Sequence, residues 1–290
     1  MCACDERATA MQAELVALQH FAKSLADGAA SRLLSWFGRA TASTKYDGSF
    51  VTQADLEVDH FVHQAVASRY PSHGVLTEET SLVYRGDEFT WVVDPLDGTN
   101  NFANGLPLWG CSIALLHEGQ PLLAVLDFPP LGQRVSALRG QGAVWNGQPL
   151  RVQPPTEVDG NHFFIIDSRG VRHLELSLRP KTRLLGSTAY DLAAVSRGMA
   201  VACCELLPKI WDIAGGWLVL SEAGATVAPL LSGVSVFPMQ AGMNYSDRVF
   251  PLLAAVSPPI WASMRAGIHL KAGSNRVTRR LEEQGWVLDL

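Results

Sequence analysis

The stretch from Trp91 to Phe102, "WVVDPLDGTNNF", restricts the possible folds of this chain more than any other. Its apolar start reads as a buried strand, and it delivers Asp94 and Asp97 to the point where that strand ends. Carboxylates so close repel each other, and burial penalises both unless a partner is supplied. Either the stretch is an acidic surface turn, for which Asp, Pro and Gly are well suited, or a cation sits between the two acids. On the second reading Pro95 fixes one dihedral, a tight turn aims both carboxylates at one point, and the Leu96 carbonyl faces outward. Two carboxylates and a carbonyl are hard ligands, which suit Mg²⁺ better than Zn²⁺. A helix starting at Gly98 and Thr99 would add free N–H groups that can cradle a phosphate.

Further acids bear on that choice. "TEET" ends the preceding strand with Glu78 and Glu79, "VTQAD" places Asp55 at a helix start, and "WDIAGG" places Asp212 at another. Taken singly, Asp55 and Asp212 read as helix N-caps and Glu79 as a solvated neighbour of Glu78. The chain carries a net charge of -5 and no strong cluster of basic residues, which argues against nucleic acid as a partner. No run of 18 apolar residues occurs, and acids stand where a signal peptide would be basic and apolar; no membrane span or leader is expected. The five cysteines (Cys2, Cys4, Cys111, Cys203, Cys204) lack zinc-site spacing, so reduced thiols in a cytoplasmic protein are expected.

Apolar residues recur every three or four positions from Met11 to Trp36, which predicts a long amphipathic helix. A turn-rich connector, "KYDGSFVTQAD", leads to a second helix, "LEVDHFVHQAVASRY", with Val58, Phe61, Val62 and Ala65 inward and Pro71 after its end. "GVLTEE" and "FTWVVD" are strand candidates; "GCSIALLH", "PLLAVLDF" and "RVSALR" read as an antiparallel run, and "NGQPLRV" as a further hairpin. Past Pro155 the pattern alternates: strand "HFFIID", helix "STAYDLAAVSRGMA", strand "VACCELL", then a helix from "WDIAGG" ending at Gly224. Layered sheets and helices are expected in one domain over 1–290, with a soft boundary near 155 and a C-terminal extension over 266–290.

The ordered set "KYDGSFVTQAD", "TEE", "WVVDPLDGTNNF" and "WDIAGGWLVLSEAGA", with "GQGAVWNGQPLRV" between, resembles the inositol monophosphatase family from about Lys45 to about Pro259. The resemblance implies an α+β, five-layer αβαβα sandwich of the inositol monophosphatase and fructose-1,6-bisphosphatase type, usually a homodimer. It implies Mg²⁺ as cofactor, in two or three ions. Glu78, Asp94 and the Leu96 carbonyl would hold one ion, and Asp94, Asp97 and Asp212 a second; a third would sit near Glu78. Thr99, backed by Asp55, would orient the attacking water, with Glu78 counted beside them as catalytic. Asp97 and the Gly98 and Thr99 N–H groups would meet the phosphate. Gly186, Thr188 and Glu205 would meet the rest of the substrate. The expected activity is lithium-sensitive hydrolysis of a small phosphorylated metabolite, foremost myo-inositol 1-phosphate or a related polyol or sugar phosphate. Fructose 1,6-bisphosphate, histidinol phosphate and 3'-phosphoadenosine 5'-phosphate are the runners-up.

Two departures from that family concern the connection from Glu78 to Asp94, which is shorter than in animal members, and "VACCELLPKI", which is unusually apolar. The D-x-D-G-T motif of haloacid dehalogenase-type phosphatases is a poor match, because the acids here stand three apart. A non-catalytic binding or regulatory protein on the same fold is the alternative of another class, although all the acids it would be free to lose are present. His60 and His63 on one helical face are explained by a half-exposed helix, and His73, His117 and His162 have no partner recognisable in the sequence.

Overall fold

The computed structural model describes residues 3–40, 42–44 and 50–290; positions 45–49 of the expected connector and Cys2 lie outside the described residues. Helix α1 (Ala3–Trp36) begins at Ala3 rather than Met11, since neither Gly nor Pro intervenes to stop it. It buries Leu18, Ala22, Leu25, Ala29 and Leu33, the stripe its periodicity predicts. A short hairpin, β1 (Ala42–Thr44) and β2 (Phe50–Thr52), leads into α2 (Gln53–Arg69). Thr52 caps α2, its hydroxyl accepting from Ala54 N at 3.1 Å.

The next strands, β3 (Gly74–Thr77) and β4 (Phe89–Asp97), run parallel; α3 (Thr99–Ala103) follows. Then β5 (Gly110–His117), β6 (Gln120–Phe128), β7 (Gln133–Leu138), β8 (Gly142–Trp145) and β9 (Gln148–Leu150) complete an antiparallel meander. The seven strands from β3 to β9 form one sheet in sequence order. The expected tight turn at Asp94–Asp97 is instead a β-bulge inside β4. Asp94 pairs with Ser112 and Asp97 with Gly110, so β4 spends one residue more than its partner and bends there.

The rest of the chain builds the second half: β10 (Phe163–Ile166), α4 (Ser168–His173), β11 (Leu174–Leu176), β12 (Lys181–Arg183), α5 (Thr188–Ser196), β13 (Ala202–Glu205) and α6 (Ile210–Ala223). After these come β14 (Thr226–Pro229), β15 (Leu252–Ala255), α7 (Pro258–Ala266), β16 (Ile268–Leu270) and α8 (Asn275–Glu283). Five of these strands form a second sheet, in the order β12-β10-β13-β15-β14. Helices α1 and α2 cover one face of the first sheet, α5 and α6 lie between the sheets, and α4 and α7 pack against the second sheet. The expected five-layer αβαβα arrangement is therefore present.

Trp91, Trp109 and Trp211 are buried and Trp217 is partly so. Cys111, Cys203 and Cys204 are buried unpaired thiols. The histidines correct the sequence reading, because each has a partner in the folded chain, some near in sequence and some distant. His73 stacks between Tyr70 and Phe89 and accepts the Trp91 Nε1–H at 3.2 Å. His117 lies 3.5 Å from Glu88, and His162 2.8 Å from Asp159. His60 and His63 bond to Gln64 and Thr80, as befits an ordinary helix face. Among the described residues no helix is long and apolar enough to cross a membrane.

Candidate active site

Three carboxylates reach one point from three elements. Thr77 pairs with Val93 in the parallel β3–β4 ladder, so Glu78, the next residue, comes beside Asp94. The third, Asp212, stands on the first turn of α6, which packs across the sheet. One ligand oxygen each from Glu78, Asp94 and Asp212 lies within 4.8 Å of the other two. Burial pushes the Asp94 carboxyl well above the usual carboxylate range, and the charges of Glu78, Asp97 and Asp212 push it further. Asp212 is raised in the same way, by burial and then by Glu78 and Asp97. An all-oxygen, like-charged set of this span fits a hard dication such as Mg²⁺, whose bonds to oxygen are about 2.1 Å long.

Asp55 and Asp212 share a local device. Neither is an N-cap, as the sequence suggests; each is the third residue of its helix and reaches back to the cap backbone. Asp55 Oδ2 accepts from Thr52 N at 2.8 Å and from the Thr52 hydroxyl at 2.6 Å. Asp212 Oδ2 accepts from Lys209 N at 2.8 Å. In each, one oxygen secures the helix start, and for Asp55 the other is turned toward the site. For Asp55 that second oxygen meets the Thr99 hydroxyl, which donates to Asp55 Oδ1 at 3.4 Å and to Leu96 O at 3.0 Å. Gly98, at φ 87°, is the cap of α3; a Cβ there would sit 2.9 Å from Leu108 O, so the sharp turn into Thr99 requires glycine.

Asp97 behaves differently from the other acids. Its carboxylate receives the N-terminus of α5: the Ser187 hydroxyl and Ala189 N (2.9 Å) donate to Oδ2, and Thr188 N (3.2 Å) donates to Oδ1. Burial raises its pKa to about 6, and these three bonds oppose the rise. Asp97 stands outside the set of three ligand atoms that lie within 4.8 Å of one another.

A cleft of about 450 Å³ opens beside Asp97 and Asp212 and is lined further by Gly186, Thr188, Asp191, Glu205 and Asp167. Glu205, at the end of β13, meets a polar group from α5. Its Oε2 accepts from the Thr188 hydroxyl at 3.0 Å, and its Oε1 is buried. Burial, then the charges of Asp191 and Asp167, push Glu205 well above the usual range.

The same arrangement of chain segments occurs in known proteins. Residues 14–255 match the profile of the Inositol monophosphatase family. This chain belongs to that family. It is similar to the inositol-1-monophosphatase of Mesorhizobium japonicum, 35% identical over 238 residues that cover 76% of this chain and 87% of the other. It is also similar to the histidinol-phosphatase of Chlorobaculum parvum, 31% identical over 212 residues covering 70% and 82%. Among solved structures, the extragenic suppressor protein suhB from Bartonella henselae superposes with a TM-score of 0.74 at 25% identity, covering 89% of this chain and 99% of that one. Members of the family are phosphatases acting on small phosphate esters and are in general Mg²⁺-dependent.

Several residues at the site escape a reading of the sequence alone. Asn101 lies inside the quoted motif, yet its task is tertiary: Nδ2 donates to Leu108 O and Leu185 O, both at 2.7 Å, and ties two loops to α3. Gly186, at φ 80°, packs on that same side chain, where a Cβ would fall 3.0 Å from Asn101 Nδ2. Ser187, Asp191 and Asp167 reach the cleft only because β10, α5 and β13 are neighbours in space. The one available signal was the spacing of Asp191 within a helix otherwise apolar around it.

Proposed function

We propose that this chain is a Mg²⁺-dependent phosphatase hydrolysing a small phosphate monoester, foremost myo-inositol 1-phosphate or a related polyol or sugar phosphate. The observation that carries this reading is the convergence of Glu78, Asp94 and Asp212 beside the Thr99–Asp55 pair. Glu78, Asp94, Asp97, Asp212 and the Leu96 carbonyl are the ligands assigned to the ions. Ions bound there would lower the pKa of a bound water and stabilise the leaving oxygen. The chain's own residues do the orienting. The Thr99 hydroxyl proton is engaged by Leu96 O and Asp55, so its oxygen is left to accept a hydrogen bond from a water and aim it. Amides at Gly98 and Thr99 are assigned to the phosphate. Glu205 is assigned to substrate hydroxyls, with Gly186 and Thr188 beside it in the cleft.

The test is phosphate release from a panel of about twenty metabolites with Mg²⁺, repeated with chelator and in ¹⁸O-water. Polyol phosphates should be cleaved, chelation should abolish activity, and the label should enter phosphate and not the alcohol. Metal-independent turnover, or none on any ester, would remove the assignment. A second reading is favoured by the acids Asp167, Asp191 and Glu205 lining the cleft: an ester bearing an ammonium group, such as histidinol phosphate. A matched pair, histidinol phosphate against an inositol phosphate, separates the two by kcat/KM. Inhibition by Li⁺ and a homodimer on sizing are expected from the family.

A further inference from the structure

The family match ends at residue 255. The chain continues through α7 and β16 into "KAGSNRVTRRLEEQGWVLDL", residues 271–290, whose sequence suggests no purpose. In the structure this segment closes over residues 247–249, which lie in neither helix nor strand. A stretch without a ladder of its own must find partners for its backbone elsewhere. Gln284 supplies two of them: Nε2 donates to Asp247 O at 2.7 Å, and Oε1 accepts from Val249 N at 2.9 Å. Buried Trp286 packs against Phe250 and donates Nε1–H to Val249 O at 3.1 Å. Val287 N donates to Ser232 O at 2.9 Å and fastens the end.

The residues flanking that stretch hold the start of α6. Lys209 Nζ donates to Ser246 O, and Phe250 N donates to Pro208 O at 3.0 Å. Lys209 N in turn donates to Asp212 Oδ2. An unbroken run of covalent and hydrogen bonds thus joins Gln284 and Trp286 to a carboxylate of the candidate metal site.

We propose that residues 271–290 are a strap that positions Asp212 for its ion, with Gln284 and Trp286 as the positioning residues, acting through 246–250 and Lys209. The inference rests on the metal-dependent reading above. A carboxylate oriented by an outer partner binds its ion with less reorganisation, and removing such partners typically weakens metal binding about 10- to 100-fold. The strap acts one step further out, so the lower end of that range is expected.

The test uses the full chain. Gln284→Ala removes both side-chain bonds and leaves Trp286 in place; Trp286→Phe keeps a buried aromatic ring and removes the N–H with part of the indole's volume. Mg²⁺ binding is read by calorimetry, alongside the Mg²⁺ concentration for half-maximal activity. Both variants should bind Mg²⁺ more weakly, by about tenfold for Gln284→Ala, with kcat at saturating Mg²⁺ within about twofold of wild type. Arg279→Ala, which removes an exposed pair with Glu283 at 2.9 Å, should leave Mg²⁺ binding unchanged. Variants that lose thermal stability in chelator but bind Mg²⁺ as wild type does would reduce the strap to a cover and overturn the proposal. Wild type that fails to bind Mg²⁺ would remove the metal-dependent reading and the strap with it.

Discussion

Two groups of carboxylates meet at this cleft, and they solve the problem of like charge in different ways. Burial pushes Asp191 and Glu205 well above the usual carboxylate range, which favours their protonated forms, and the Thr188 hydroxyl donates to Glu205 Oε2. Glu78, Asp94 and Asp212 converge with ligand atoms up to 4.8 Å apart, a spacing with room for an ion in their midst. The first group meets a hydroxyl donor from α5; the second has a spacing that an ion would fit. Acidity and burial alone do not separate a binding group from a metal centre. What separates them is whether carboxylates from separate elements converge on a shared gap.

The sharpest way to break the comparison is Asp94→Asn. Activity should fall roughly 10⁴-fold, about 5.5 kcal/mol, the scale of the charge stabilisation a dication supplies. In chelator the same variant should unfold at a higher temperature than wild type, because it relieves the repulsion that raises the Asp94 pKa. Activity within twofold of wild type would mean the trio holds no catalytic ion.

Thr99→Ala tests the orienting pair beside the trio. Its kcat should drop about 10³-fold, mid-range for a positioned proton-handling group, with little change in KM. A loss confined to KM would make Thr99 a substrate contact.

Glu205→Ala addresses the other group. On a polyol phosphate kcat/KM should fall roughly 10- to 150-fold, the equivalent of one charge-assisted hydrogen bond. A simple aryl phosphate should be nearly unaffected, and equal losses on both substrates would make Glu205 structural.

The smallest effect concerns Asp191→Asn and stability. Burial raises the Asp191 pKa well above its unfolded value, so its protonated form belongs to the folded state. Stability from such a group is fully present below the unfolded pKa and is lost as pH rises through the folded one. The variant should therefore gain little near pH 4 and a few degrees in Tm at pH 8, read by thermal unfolding at both. A gain that is equal at the two pH values would show that Asp191 is not titrating within the pair.

The motif of the candidate metal site was legible in the chain because its logic is local. An apolar strand ending in Asp94 and Asp97, and helix starts at Asp55 and Asp212, are set by spacing, propensity and capping chemistry within a few residues. The long α1 stripe and the β5–β7 meander were legible for the same reason. The tertiary structure decided everything that depends on which segments become neighbours. It turned the supposed turn at Pro95 into a bulge, because β5 pairs across it. It gave Asp97 the amides of α5, gave Glu205 the Thr188 hydroxyl, and laid Gln284 on the backbone of Asp247 and Val249. Periodicity reports which face of an element is buried, and it carries no information about what that face meets. A carboxylate's partner therefore emerges only when the sheets and helices close on one another.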